Sequence, residues 1–261
     1  RVCIYLPMIP DLAISVLACA RIGVIHSVVF AGFSATALST RINDSDCKIV
    51  ITSDGSYRGN KTIDLKEIVD DALNNCAGVK SVLVAKRINS EVTMKEGRDK
   101  WLQPLLNNAS SECEPEVMDA EDPLFILYTS GSTGKPKGVQ ISFMNLTSFI
   151  GAFLNTGFTL DHTDRCLQCF DLTFDVSIQS VIIPLMHGAC VYTVPHDQIK
   201  YSYVFGLLDD HQLTFGIFAP SMIRFLQPCQ FSSTNHLPFY QSSLSPHLHL
   251  LALPCVHLQL L

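Results

Sequence analysis

The chain has 261 residues, 48% of them hydrophobic, and a formal net charge of −6. That is enough apolar material for a large core in one domain, or one and a half. The acidic balance without a basic stripe argues against nucleic acid as a partner, and no apolar run approaches the roughly 18–20 residues of a membrane span.

Residues Arg1-Val2-Cys3-Ile4-Tyr5-Leu6 already read as a core strand, with no initiator Met and no signal peptide ahead of them, so a truncated N-terminus is expected. Ten cysteines are scattered, several inside apolar runs such as those around Cys19 and Cys190. Reduced, buried thiols in a cytoplasmic protein are the expectation. Cys166-Leu-Gln-Cys169 is a lone C-x-x-C with no second pair at zinc spacing, which argues against a metal or redox role.

In chain order, Val2–Leu6 reads as a strand and Asp11–Ile22 as a helix ended by Gly23. Val24–Phe30 is a second strand. A turn follows over Phe30-Ala31-Gly32-Phe33-Ser34, where Ser34 can cap a helix running through Ile42. Lys48–Thr52 is a third strand, Leu65–Leu73 a helix and Val79–Ala85 a fourth strand. This alternation predicts an α/β fold with parallel sheets flanked by helices. Arg87–Asp119 is polar and reads as an irregular surface excursion anchored by Trp101-Leu102.

Next comes Leu124-Phe125-Ile126-Leu127, an apolar run that reads as a buried parallel strand. It leads into Tyr128-Thr129-Ser130-Gly131-Ser132-Thr133-Gly134-Lys135-Pro136-Lys137-Gly138. The glycines allow a tight turn with backbone N–H groups close to a ligand. The hydroxyls of Thr129, Ser130, Ser132 and Thr133 add donors, and Lys135 and Lys137 add positive charge. Such a loop suits polyphosphate oxygens. It is not the P-loop of nucleotide triphosphatases: Pro136 follows Lys135 and prevents direct continuation into a helix. A Ser/Gly surface linker is the bland alternative, but linkers seldom follow a buried strand.

This stretch resembles the phosphate-binding signature of the adenylate-forming (AMP-dependent synthetase/ligase) superfamily, which includes acyl-CoA synthetases and amino-acid adenylation domains. The resemblance implies ATP binding, transfer of AMP to a carboxylate and release of pyrophosphate. Lys137 matches the lysine before the closing glycine, whereas Lys135 falls on a variable position.

Residues 1–138 resemble the acetyl-CoA synthetase branch. The matching stretches are Leu17-Ala-Cys-Ala-Arg21-Ile-Gly23, His26-Ser-Val-Val-Phe30-Ala-Gly32-Phe33-Ser34, Arg41-Ile-Asn43-Asp44, Ile51-Thr-Ser-Asp54-Gly and Met94-Lys-Glu-Gly-Arg98-Asp. The resemblance implies that Phe30, Gly32 and Arg58 help bind coenzyme A, with Lys61 as a further basic neighbour. The alternative for Arg58 is an ordinary solvated loop charge.

Beyond Gly138, Val139–Ser142 reads as a strand and Asn145–Asn155 as a helix. Cys166–Phe170 and Ala189–Thr193 read as strands with a helix over Val176–Met186 between them. Tyr203–Asp210 is helical, Thr214–Phe218 a strand and Ser221–Leu226 a helix. Here Phe170-Asp171-Leu172-Thr173-Phe174-Asp175-Val176-Ser177, Ile183-Pro184-Leu185 and Ala219-Pro220-Ser221 resemble amino-acid adenylation domains. That likeness implies that Asp175 pairs with a substrate ammonium; the alternative is a helix cap for Val176–Met186. Where the family often carries a histidine, this chain has Phe143.

Cys229–Leu261 contains no Asp, Glu, Lys or Arg and shows no sustained period. The expectation is a non-native, poorly ordered tail after a truncated AMP-binding domain over 1–228. The family's Tyr/Trp-Gly-x-Thr-Glu segment, ribose-binding Asp and lid lysine do not occur in these residues, so an incomplete, inactive fragment is expected.

Three functions are thus left open. One is acetate–CoA ligase chemistry using ATP, Mg²⁺ and coenzyme A on a small carboxylate. The second is amino-acid adenylation with a carrier-protein partner, and the third is an inactive nucleotide-binding remnant. In the first two, Ser130, Thr133 and Lys137 would neutralise the departing phosphates, with Thr129, Gly131, Ser132, Gly134 and Lys135 completing the loop.

Overall fold

The computed structural model describes residues 1–58, 61–129, 136–195, 200–218, 222, 239–241 and 249–252. It divides into two compact units, Arg1–Ala152 with Asp171–Phe174, and Phe153–Phe170 with Asp175–Leu261.

The first unit holds β1 (Val2–Tyr5), α1 (Pro10–Arg21), β2 (His26–Val28), α2 (Ala35–Asp44), β3 (Ile49–Ser53), β4 (Ser56–Arg58) and β5 (Lys61–Ile63). It continues with α3 (Leu65–Leu73), β6 (Ser81–Ala85), β7 (Asp99–Trp101), α4 (Leu102–Asn108), β8 (Pro123–Thr129) and β9 (Lys137–Ser142), and α5 (Phe143–Leu154) follows. Seven strands form one sheet in the order β7-β6-β3-β1-β2-β8-β9, parallel except for the β8–β9 pair.

Local chemistry sets the boundaries. Pro10 opens α1, where its missing N–H costs nothing. Gly23, at φ +63°, ends it in the left-handed region. The Ser34 hydroxyl accepts from the Ala37 N–H at 3.3 Å and caps α2 as expected.

Every residue of β1 is buried, as a strand covered on both faces must be. On one face Cys3, Tyr5, Val50, Val82 and Val84 pack with α2 and α3 through Leu38, Ile42, Leu65 and Val69. On the other, Val2, Ile4 and Ile51 pack with α1 through Leu12 and Cys19.

Buried charge pins a long connection to this core. The Lys66 side chain is 1% exposed and Asp99 is 0% exposed; their ion pair spans 2.9 Å. Lys66 also donates to Asp70 and to the Thr93 carbonyl, and Arg98 bridges Asp70 and Asp99. The Met94–Asp99 motif is therefore a clamp onto α3.

The second unit contains β10 (Arg165–Gln168), a π-helical turn over Ile178–Ile182, α6 (Ile183–Met186), β11 (Cys190–Thr193), α7 (Lys200–Asp210), β12 (Phe215–Phe218), β13 (Phe239–Gln241) and β14 (His249–Ala252). Its five-stranded sheet runs β11-β10-β12-β14-β13. Its core gathers Leu167, Val204, Leu207, Leu208, Leu213 and Phe218.

Four sequence expectations need correction. Arg87–Asp119 is not wholly irregular, because Asp99–Trp101 adds an edge strand to β6 and α4 follows. β8 is parallel only on its β2 side; its other neighbour, β9, is antiparallel because the intervening loop is short. The expected helix over Val176–Met186 is part π and part α: Pro184 has no N–H to give to Ser180, four residues earlier. The final segment was expected to lack regular structure, yet β14 pairs with β12 and β13 with β14. Strands of three or four residues carry too little pattern to read in a charge-free run. Ser221–Leu226, apart from Met222, lies outside the described residues.

Among the described residues no helix is long and apolar enough to cross a membrane. Among the described residues no cysteine is in a disulfide. Both thiols of the C-x-x-C pair are buried, and burial pushes Cys166 up to about 12, which disfavours a reactive thiolate.

Candidate functional site

Because β1, β2, β3 and β8 run parallel, their carboxyl ends lie along one edge of the first unit's sheet. Three candidate segments emerge there: the turn after β2, the hairpin after β3 and the loop after β8. Ligands of open α/β sheets bind at this edge.

The loop after β8 is closed by a hairpin. In its register Tyr128 faces Gly138 and Thr129 faces Lys137. The two ends of the hydroxyl-rich motif therefore meet as a strand pair, with Thr129 and Lys137 both exposed. An ammonium opposite a hydroxyl at a loop mouth can serve an anionic ligand. Gly138 is needed because Tyr128 lies across it: a Cβ there would sit 3.1 Å from Tyr128 Cζ and 3.1 Å from Ile126 Cγ2. Ser130, Gly131, Ser132, Thr133, Gly134 and Lys135 lie outside the described residues.

The turn after β2 is built on aromatic contacts. Phe30 and Phe33 meet edge to face at 5.6 Å and are both exposed. The buried Tyr5 hydroxyl donates to the Ala31 and Phe33 carbonyls at 3.2 and 2.7 Å. Burial, with the neighbouring Cys3, pushes the Tyr5 phenol up to about 12, so it remains a donor. A side chain at Gly32 would come within 2.3 Å of the Phe30 ring.

Arg58 and Lys61 face each other in the β4–β5 hairpin, both exposed. Two neighbouring cations on one short ribbon are able to pair with phosphate groups. The hairpin's base is fixed by Asp54, which is fully buried. Its Oδ1 accepts from the N–H groups of Gly55, Arg87 and Ile88 at 2.8, 2.7 and 3.1 Å, and Oδ2 accepts from Ser90 N–H at 3.2 Å. This anchoring role was not foreseen in the Ile51-Thr-Ser-Asp54-Gly wording. A lone Asp-Gly after a strand reads equally well as an ordinary turn.

Asp175 belongs to the second unit and is exposed. Its Oδ1 accepts the N–H of Val176 at 2.9 Å, and its carbonyl accepts from Ile178 N–H at 3.0 Å. It stands at the start of the helical segment.

Sequence reasoning did not foresee how α2 joins two of these segments. Tyr128 donates to Asp44 Oδ2 at 2.6 Å, and the Arg41 guanidinium lies over the rings of Phe33 and Tyr128. Burial, and next the Asp44 carboxylate, push the Tyr128 phenol upward, so it too stays protonated. The Arg41-Ile-Asn43-Asp44 spacing was the available signal, since residues three apart share a helix face.

The profile of the AMP-binding enzyme family matches residues 1–254. An acetyl-coenzyme A synthetase of Halorhodospira halophila is 45% identical over 237 residues, covering 87% of this chain and 36% of the relative. One from Methanothrix thermoacetophila is 42% identical over 229 residues, covering 86% and 34%. One from Gamma-proteobacterium EBAC31A08 is 58% identical over 139 residues, covering 53% and 22%. The chain thus spans about a third of the length of the curated relatives that it matches most fully. Residues 1–138 make up only about half the chain, so likeness to acetyl-coenzyme A synthetases extends past Gly138. On the breadth of the profile match, this chain belongs to the AMP-binding enzyme family.

Proposed function

We propose that the chain carries the phosphate-binding hairpin and the coenzyme A-binding edge of an AMP-forming acid–CoA ligase, with acetate as the acid. The observation that most supports this reading is the β8–β9 register. It sets Lys137 opposite Thr129 at the carboxyl edge of a parallel sheet, at the ends of the eleven-residue motif.

In this reading Lys137 and Thr129, with Ser130, Ser132, Thr133, Lys135 and the N–H groups of Gly131 and Gly134, hold the β- and γ-phosphates of ATP. The acid's carboxylate oxygen attacks the α-phosphorus, the bond to the pyrophosphate oxygen breaks, and an acyl-AMP forms. Fixed positive charge at the leaving pyrophosphate lowers the barrier without reorganisation at the moment of reaction. The thiol of coenzyme A then attacks the acyl carbon and AMP leaves. Arg58 and Lys61 attract the phosphates of coenzyme A, and Phe30 and Gly32 offer it an open apolar edge.

Mg²⁺ would accompany the ATP phosphates and neutralise part of their charge. Among the described residues no group of three or more His, Cys, Asp or Glu side chains could hold a metal. A cation carried mainly by phosphate and water needs no such group. The buried thiols of Cys3, Cys19, Cys47 and Cys76 suit a cytoplasmic setting.

The test is ATP–pyrophosphate exchange with acetate and, separately, with amino acids. Exchange with acetate alone is the pattern this reading expects; the inactive fragment expected from the sequence would show exchange with neither. Exchange driven only by an amino acid, and lost in Asp175→Ala, would overturn it. No exchange with either, beside ATP binding that is lost in Lys137→Ala, would leave a phosphate site without the activity.

A further inference from the structure

Arg41 is charged, 8% exposed and outside the residues assigned above to ATP or coenzyme A. Its guanidinium lies 4.5 Å from the Phe33 ring centre and 5.4 Å from that of Tyr128. Phe33 belongs to the turn after β2. Tyr128 is the residue before Thr129 and packs against Gly138, at the base of the phosphate hairpin. One planar cation therefore touches both candidate ligand segments.

The surroundings hold it in place. Arg41 Nη1 donates to the Ala37 carbonyl at 2.8 Å within α2. Tyr128 donates to Asp44, three residues further along that helix, at 2.6 Å. The Tyr5 hydroxyl donates to the Phe33 carbonyl at 2.7 Å. A guanidinium can present its plane to aromatic rings while its edge donates hydrogen bonds; a lysine ammonium cannot. A shift of Tyr128 cannot be absorbed locally, because interiors are close-packed and transmit displacement.

We propose that Arg41 is a positioning residue which, through Phe33 and Tyr128, ties the coenzyme A turn to the ATP hairpin, so that each site's affinity depends on the other's side chains. The inference rests on the assignment of those two sites under Proposed function.

The test uses the 261-residue chain. Its affinities for ATP and for coenzyme A are measured by calorimetry in the wild type and in Phe33→Leu, Tyr128→Phe and Arg41→Lys. Each variant's circular dichroism spectrum and melting temperature are recorded beside the wild type's. Phe33→Leu is expected to weaken ATP by about fivefold, and Tyr128→Phe to weaken coenzyme A similarly, the low end of coupling between sites. Arg41→Lys should weaken both. Adding Phe33→Leu to Arg41→Lys should weaken ATP no further, since both act through one path.

A merely structural role would lower melting temperature without these crossed effects. If each variant alters only the ligand on its own side, the bridge is refuted while both sites stand. If the wild type binds neither ligand, the site assignment fails and the bridge with it.

Discussion

Replacing Asp99 with Asn would test how the first unit holds the long connection between β6 and β7. Burial pushes the Asp99 carboxyl up, but hydrogen bonds from Arg98 and Lys66 outweigh that and bring it down to about 2, against an ordinary 3.8. A depression of that size corresponds to about 2 kcal/mol of stability. Because the folded value lies below the unfolded one, that contribution is whole above about pH 4 and disappears as pH falls toward 2. At neutral pH the variant should lose about 3 kcal/mol, since it leaves the Lys66 ammonium buried with one fewer partner. The gap between variant and wild type should then narrow by about 2 kcal/mol between pH 5 and pH 2. The readout is urea unfolding followed by the fluorescence of Trp101, the chain's single tryptophan, which lies on the same strand as Asp99. A penalty under about 0.5 kcal/mol, or one that does not change with pH, would refute the reasoning, because surface pairs behave that way.

Other consequences can be measured on the same material. Burial lowers the His26 imidazole to about 4 from 6.5, so folding favours its neutral form. Stability present above pH 6.5 should fall by up to about 3 kcal/mol on reaching pH 4, and His26→Leu should flatten that window. Gly138→Ala should cost about 1–3 kcal/mol by overpacking against Tyr128 and Ile126, and should weaken ATP binding; thermal melts and dialysis check both. Asp54→Ala strips acceptors from four backbone N–H groups and should cost about 3 kcal/mol or more in chemical denaturation, with retention on coenzyme A resin also lost. Arg58→Ala and Lys61→Ala should each reduce that retention and its salt sensitivity.

Much of this arrangement was legible from residue patterns. Leu65–Leu73 was bounded correctly because its apolar face repeats at helical spacing and Asp64 and Asn74 punctuate it. Gly23 and Ser34 marked real helix ends through local chemistry alone. The phosphate motif placed Thr129 and Lys137 at a loop, but not their pairing, since strand register is a tertiary property. Asp99–Trp101 was missed because three edge residues, two of them charged, show no strand pattern until β6 offers a partner. The Asp54 anchor and the Arg41–Tyr128 contact were also invisible. Their partners lie more than thirty and more than eighty residues away in sequence, and single-chain periodicity carries no such information. The change in wording after Gly138 falls inside β9, not at the division between the two compact units.

The central claim is that the Thr129–Lys137 hairpin grips the phosphates of ATP. Equilibrium dialysis of labelled ATP against the wild-type chain and Lys137→Ala tests it directly. Saturable binding that weakens by about ten- to a hundredfold in the variant, the value of a charge-assisted hydrogen bond, is the predicted result. Equal affinity in the two proteins would contradict it.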